Sequence, residues 1–214
     1  MFNIEILYNS YIKFEGTELC TDSNISHPNL IKKLEVKVLI KQINTKRLYL
    51  RKMKMSDAHS LFKIWSDPDV TKFMNITNFT HEEQAKEMIE LFDELAGEHK
   101  AIRLTIIEKE FNEIIGSCGF NSFDLEGATT EIGFDLAKAY WGNGYAPECI
   151  AALIDYAFST LSITKIVAKI EPGNRNSIKV VEKLNFTFEG TFQEYEKSKE
   201  SFYDINVYSL LKEN

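Results

Sequence analysis

The stretch from Thr130 to Pro147 constrains this chain more than any other. In residues 130–136, Glu131, Gly133 and Asp135 alternate with Ile132, Phe134 and Leu136, the period of a strand. Beyond Tyr140 come Trp141-Gly142-Asn143-Gly144-Tyr145-Ala146-Pro147, and then Ile150, Leu153, Ile154, Ala157 and Phe158 at helical spacing. A strand feeding a Gly-x-Gly turn and then a helix needs a layered fold in which sheet packs on helix. The glycines let backbone N–H groups of the turn close around an anion, and the helix N-terminus adds partial positive charge. Pro147 suits the first helical turn, where its missing N–H has no intrahelical partner to lose. The plainer reading is a tight connection that uses two glycines.

The rest of the chain supplies the layers. Leu48-Tyr49-Leu50-Arg51 reads as a strand, and Ser56 as the cap of a helix through Leu61, Ile64 and Trp65 that Ser66-Asp67-Pro68 stops. Thr80 and Glu83 have capping-box spacing ahead of Ala85, Met88, Ile89 and Phe92. Strands are expected over 102–107, 114–120 and 130–136, with Gly127 in the last turn between them, and again over 166–170. A helix over 177–184 aligns Ile178, Val181 and Leu184, and residues 186–192 and 203–211 form an antiparallel pair. The order β-α-α-β-β-β-α-β-α-β-β describes a mixed sheet with helices on both faces. Residues 1–44 precede it as an extension, in which Phe2, Ile4, Ile6 and Tyr11-Ile12-Lys13-Phe14 suggest a hairpin, followed after the turn-rich Thr21-Asp22-Ser23-Asn24 by a stretch of helix or strand to Ile43. The expected division is 1–44 and 45–214.

Charge and cysteine narrow the chemistry. Lys and Arg number 25 against 32 Asp and Glu, a net charge of -7, which disfavours nucleic acid and suits a cationic substrate. No apolar run nears the roughly 20 residues of a membrane span, and Met1-Phe2-Asn3-Ile4-Glu5 lacks a basic signal-peptide start. Cys20, Cys118 and Cys149 are odd in number and widely spaced, as in a reducing, cytoplasmic setting, with Cys118 and Cys149 filling the core. His27, His59, His81 and His99 share no ligand spacing, so no metal is expected. A dinucleotide fingerprint is a rival for the turn, with Glu171 as ribose acid, but Pro147 stands where its third glycine belongs.

Further residues join the turn. Asn174-x-x-Ser177-x-x-x-x-Glu182-Lys183-Leu184-Asn185-Phe186 follows the helix, Thr45-Lys46-Arg47-Leu48-Tyr49-Leu50-Arg51 with Ser56-Asp57-Ala58 opens the domain, and Tyr203-Asp204 with Tyr208-Ser209-Leu210 closes it. Together these motifs resemble the GNAT superfamily of N-acetyltransferases over roughly residues 45–212, and within it the Rim-type branch, whose founding members acetylate N-termini of ribosomal proteins. The resemblance implies the GNAT fold of the α/β class (α+β in stricter usage), with a mixed, mostly antiparallel sheet. It implies acetyl-CoA as co-substrate, its pyrophosphate on Gly142 to Ala146 and its pantetheine arm along Phe134, Asp135 and Leu136. Asn174 corresponds to the asparagine that touches the arm. Four residues depart from the family pattern: Trp141, Pro147, Asn185 in place of glycine, and Val181 where many members carry the tyrosine that protonates the leaving thiolate.

Acetyl transfer needs a neutral amine, a polarised carbonyl and a proton for the thiolate. Main-chain N–H groups of residues 130–136 can polarise the carbonyl. Glu131 is the expected base, because the family often places it on this strand, or else it pairs with a nearby cation. Ser177 resembles the Rim-type serine and is the expected acid, although serine is also a preferred helix cap. Tyr195, Tyr203 and Tyr208 are alternative donors. Gly116-Ser117-Cys118-Gly119 is no G-x-S-x-G elbow. The acceptor is a primary amine, either a protein N-terminus or a small molecule, met by loops near 73–79 and 194–201, and the enzyme is a monomer or homodimer. A domain that binds CoA as a sensor without chemistry is the alternative.

Overall fold

The computed structural model describes residues 40, 42–198 and 201–213, with side chains described as far as 193 and again from 203. Cys20, His27 and the expected hairpin lie outside the described residues. Eight strands form one sheet in the order β1-β2-β3-β4-β5-β6-β8-β7. They are β1 Gln42–Asn44, β2 Leu48–Lys52, β3 Ile102–Glu108, β4 Glu113–Asp124, β5 Thr129–Leu136, β6 Lys165–Ile170, β7 Thr187–Ser198 and β8 Ser201–Leu211. The helices are α1 Ala58–Trp65, α2 Pro68–Thr71, α3 Glu82–Gly97, α4 Tyr145–Thr160 and α5 Arg175–Lys183. Every neighbouring pair is antiparallel except β5 with β6. β1 brings residues 42–44 of the expected extension into the sheet, and Ile40 is buried in the core.

Alternation sorts the strands onto two faces. Leu48, Leu50, Leu104, Ile106, Cys118, Phe120, Ile132 and Leu136 pack with Cys149, Ile150, Leu153 and Ala157 of α4. At about 1.5–3 kcal/mol per fully buried large aliphatic side chain, this layer dominates the driving force. A second cluster joins Leu61, Ile64 and Trp65 of α1 to Ala85, Met88, Ile89, Phe92 and Leu95 of α3 on the opposite face.

The helix starts differ from expectation in instructive ways. Ser56 sits in a 3-10 turn, Met55–Asp57, and the buried Asp57 instead accepts the Lys54 N–H at 2.9 Å. At α3 the box is shifted by one residue, from Thr80 and Glu83 to His81 and Gln84. The Gln84 Oε1 accepts the N–H groups of Thr80 and His81 at 2.6 and 3.0 Å, while Glu83 stays exposed beside Lys86. An amide in that slot can be buried at less cost than a carboxylate. Asn185 has φ 62, the left-handed conformation that asparagine adopts readily.

Candidate active site

β5 and β6 begin as neighbours and then part. Their parallel pairing spans only Thr129↔Lys165, Thr130↔Ile166 and Glu131↔Val167, while β5 runs on to Leu136 and β6 to Ile170. The Ala137 N–H donates to the Ile115 carbonyl at 2.8 Å, which fixes the antiparallel phase of β4 and β5. Main-chain groups of Gly133 and Asp135 therefore point to β4, and those of Phe134 and Leu136 point into the gap. The Leu136 carbonyl there accepts the Trp141 Nε1–H at 2.8 Å. A cavity of about 220 Å³ occupies the gap and reaches both layers, from Trp65 and Phe92 to Ile150 and Val181.

At the end of β5 stands the turn. Gly142 and Gly144 have φ 76 and 78, values that a side chain would strain, and Gly144 is the N-cap of α4. Among the described residues, no hydrogen bond uses the N–H groups of Gly142, Asn143, Gly144, Tyr145 or Ala146. Successive unpaired N–H groups at a helix N-terminus form an anion-binding concavity. Pro147 lies in the first helical turn, as expected.

Sequence reasoning missed the support of this turn. Glu148 Oε1 accepts the Thr45 hydroxyl at 2.6 Å and the Arg47 N–H at 2.8 Å, and its Oε2 accepts the Arg47 Nε–H at 2.7 Å. Arg47 Nη1 donates to the Asn143 carbonyl at 2.9 Å, and the guanidinium lies 4.2 Å from the Tyr145 ring centroid. Burial alone would raise the Glu148 pKa, but the bonds from Thr45 and Arg47 outweigh it and lower it. Arg47 was visible only as part of the opening motif, because a contact across 101 residues leaves no local periodicity.

The cavity gathers several expected residues. Glu131, Phe134, Asp135, Asn174 and Ser177 all line it, whereas the turn residues 142–146 do not. Glu131 is held by Lys169 Nζ at 3.0 Å and by Asn121 Nδ2 at 3.1 Å, so the simpler expectation of a neighbouring cation is met. Asp135 plays a part other than pairing with a ligand arm. Its carboxylate accepts Trp65 Nε1–H at 3.2 Å, Arg103 Nη2–H at 2.7 Å and the Ser117 hydroxyl. Asn174, and not Ser177, caps α5: its Oδ1 accepts the Ser177 N–H at 3.2 Å. The Ser177 hydroxyl makes no hydrogen bond among the described residues. Tyr203 lines the cavity, Tyr208 is buried against Phe188 in the core, and the Tyr195 side chain lies outside the described part. Residues 73–76 of the expected acceptor loop form one wall.

Cys118 and Cys149 are fully buried core thiols, and the contact between them, followed by burial, pushes the Cys149 pKa well up, so that thiol is unreactive. Among the described residues, no group of His, Cys, Asp or Glu is placed to hold a metal, and no helix is long and apolar enough to cross a membrane.

Comparison with known proteins matches this geometry. Residues 47–187 fit the family described as acetyltransferase (GNAT) domain. An N-acetyltransferase of Bacillus licheniformis named p20 is 49% identical over 168 residues, covering 78% of this chain and 94% of that protein. A ribosomal-protein-serine acetyltransferase of Escherichia coli is 28% identical over 109 residues, 51% of this chain and 60% of its own. The solved structure of microcin C7 self-immunity acetyltransferase MccE, in complex with acetyl-CoA and AMP, superposes with TM-score 0.72 at 26% identity, over 78% of this chain and 94% of that one. An open mixed sheet parted between β5 and β6, an unpaired Gly-x-Gly turn at the end of β5 and a family match across both carry one conclusion: the chain belongs to the GNAT acetyltransferase family.

Proposed function

We propose that this enzyme moves the acetyl group of acetyl-CoA directly to a primary amine, with both substrates bound at once. The observation that carries this reading is the gap between β5 and β6. It opens to both layers of the molecule and is lined by Phe134, whose main-chain groups a pantetheine arm can extend as an added strand toward Leu136. The diphosphate then falls on the turn of Gly142 to Ala146 at the end of the same strand, and Asn174 borders the arm. An amine entering from the wall of residues 73–76 meets the thioester in the gap, and holding the two together supplies much of the acceleration.

The reaction forms a C–N bond and breaks the C–S bond. The ammonium proton goes to Glu131, directly or through water, and Lys169 and Asn121 hold that carboxylate in position. The thiolate takes a proton from Ser177, whose hydroxyl the α5 cap leaves available, and the second proton that the nitrogen loses as the amide forms restores that hydroxyl through water. Val181, buried on the same helix, has no proton to give. The acceptor is a protein N-terminus or a small amine, in keeping with one relative named for a ribosomal-protein serine and another for self-immunity. We take residues 45–214 as the transferase domain, acting in the cytoplasm as a monomer or homodimer, with β1 joining the preceding segment to it.

Acetyl-CoA should raise the melting temperature, NAD should not, and a panel of amines should release free CoA thiol. Glu131→Gln should lower kcat by about 10²- to 10⁴-fold; an unchanged kcat and pH profile would remove Glu131 as the base. Val181 favours one alternative, a CoA sensor. Calorimetric binding of acetyl-CoA without turnover on any amine would establish that reading instead.

A further inference from the structure

We infer that Arg47 is a positioning residue for the CoA diphosphate: it aims the phosphate turn and neutralises a carboxylate that would otherwise repel the ligand. The inference rests on the reading that the turn takes that diphosphate. Two observations carry it. Arg47 Nη1 holds the Asn143 carbonyl at 2.9 Å. In a trans peptide the C=O and N–H point in opposite directions, and no cis peptide occurs among the described residues. Fixing the Asn143 carbonyl toward Arg47 therefore turns the Gly144 N–H away from it, among the other unpaired N–H groups of the turn.

The second observation concerns charge. Glu148 sits in the first turn of α4, the helix whose N-terminus receives the anion. A carboxylate there complements the helix dipole in the empty protein but opposes a diphosphate a few ångströms away. Arg47 Nε meets Glu148 Oε2 at 2.7 Å and cancels that charge. Its Nη2 makes no hydrogen bond among the described residues, and would lie 3.5 Å from a Cβ built on Gly144. The planar fork thus serves Glu148, Asn143 and the Tyr145 ring together, a geometry that a lysine ammonium cannot reproduce. In a chain of net charge -7, such a local cation has more to correct than in a neutral one.

The test compares two ligands that differ in the diphosphate: acetyl-CoA, and acetylpantetheine, which has none. Calorimetry on the full chain should show Arg47→Gln raising the Kd for acetyl-CoA about tenfold or more while leaving acetylpantetheine within about twofold. Adding Glu148→Gln to Arg47→Gln should recover part of the loss, since the unpaired carboxylate is gone, whereas a merely structural role predicts a further loss. Should Arg47→Gln fail to fold, Arg47→Lys carries the same comparison, with an expected loss of about threefold or more for acetyl-CoA alone. Unchanged acetyl-CoA affinity, or equal losses for both ligands, would overturn the inference. A wild-type protein that binds acetylpantetheine and acetyl-CoA equally would overturn the reading of the turn itself, and this inference with it.

Discussion

On the side of the sheet covered by α4, the strands offer Leu48, Leu50, Leu104, Ile106 and Phe120, and the layer is apolar. On the side under α1 and α3 the same strands offer Arg51, Arg103, Thr105, Ser117 and Asp135, all buried or nearly so. Each charge there is matched. Asp57 takes Arg51 through both Nη groups at 2.6 and 2.8 Å and the Thr105 hydroxyl at 2.7 Å, and Asp135 takes Trp65, Arg103 and Ser117. Desolvating such pairs costs several kcal/mol per ion, so the network adds little net stability, yet losing one partner strands the other. The apolar side thus supplies the driving force. The charged side spends part of it to fix polar groups beside the cleft, since Arg103 and Asp135 also line the cavity.

That contrast predicts an order of effects. The largest belongs to Asp57→Ala, which leaves the half-buried Arg51 without its carboxylate and the Thr105 hydroxyl without its acceptor, and should cost about 4 kcal/mol in urea unfolding. Leu104→Ala, on the apolar side, should cost about 3 kcal/mol through lost burial and a residual cavity. If Leu104→Ala proves the more damaging, the charged network is more yielding than its geometry indicates. Thr105→Val, nearly isosteric, removes one hydrogen bond to a carboxylate and should cost about 1.5 kcal/mol.

Acid separates the two sides further. Burial alone would raise the Asp57 pKa, but the bonds from Arg51, Lys54 and Thr105 together lower it. A lowered carboxylate contributes stability that is complete above its unfolded value, near 3.9, and is lost as pH falls through the folded value. Asp57→Asn should therefore flatten the fall in stability between about pH 4 and pH 3, whereas the Leu104→Ala loss should be the same at about pH 3 and pH 7. Urea titrations at the two pH values measure this directly.

The same division governs what could be read from the residues alone. The apolar face was legible: Ile132, Leu136, Ile150, Leu153 and Ala157 fall where alternation and helical spacing place them, and they are buried. The charged face was not, because Arg103 to Asp135 spans 32 residues, and neither was the brace at the start of α4, where Arg47 to Glu148 spans 101; such partners leave no periodic trace. The Gly-x-Gly turn was legible because glycine marks a backbone requirement directly, here φ 76 and 78 at Gly142 and Gly144. Local frames were ambiguous where neighbours share chemistry, as at Thr80 and His81, or at Asn174 and Ser177, where either residue can cap a helix and only the packed chain chooses.

The strand order has a bearing on how the protein comes into being. β8 lies between β6 and β7, and β6 pairs with it along the whole of Lys165–Ile170, from Lys165↔Leu211 to Ile170↔Asn206. β6 meets β5 over only three pairs, so its principal partner is a strand some forty residues later in the chain. During synthesis, when the first-made parts of a domain emerge first, β1 to β5 can zip as a run of sequence neighbours while the far wall of the cleft waits for residues 201–211. Until they arrive, β6 is an open edge facing a half-built cleft, the kind of edge that recruits other chains. The window most exposed to aggregation is therefore the interval between making β6 and docking β8.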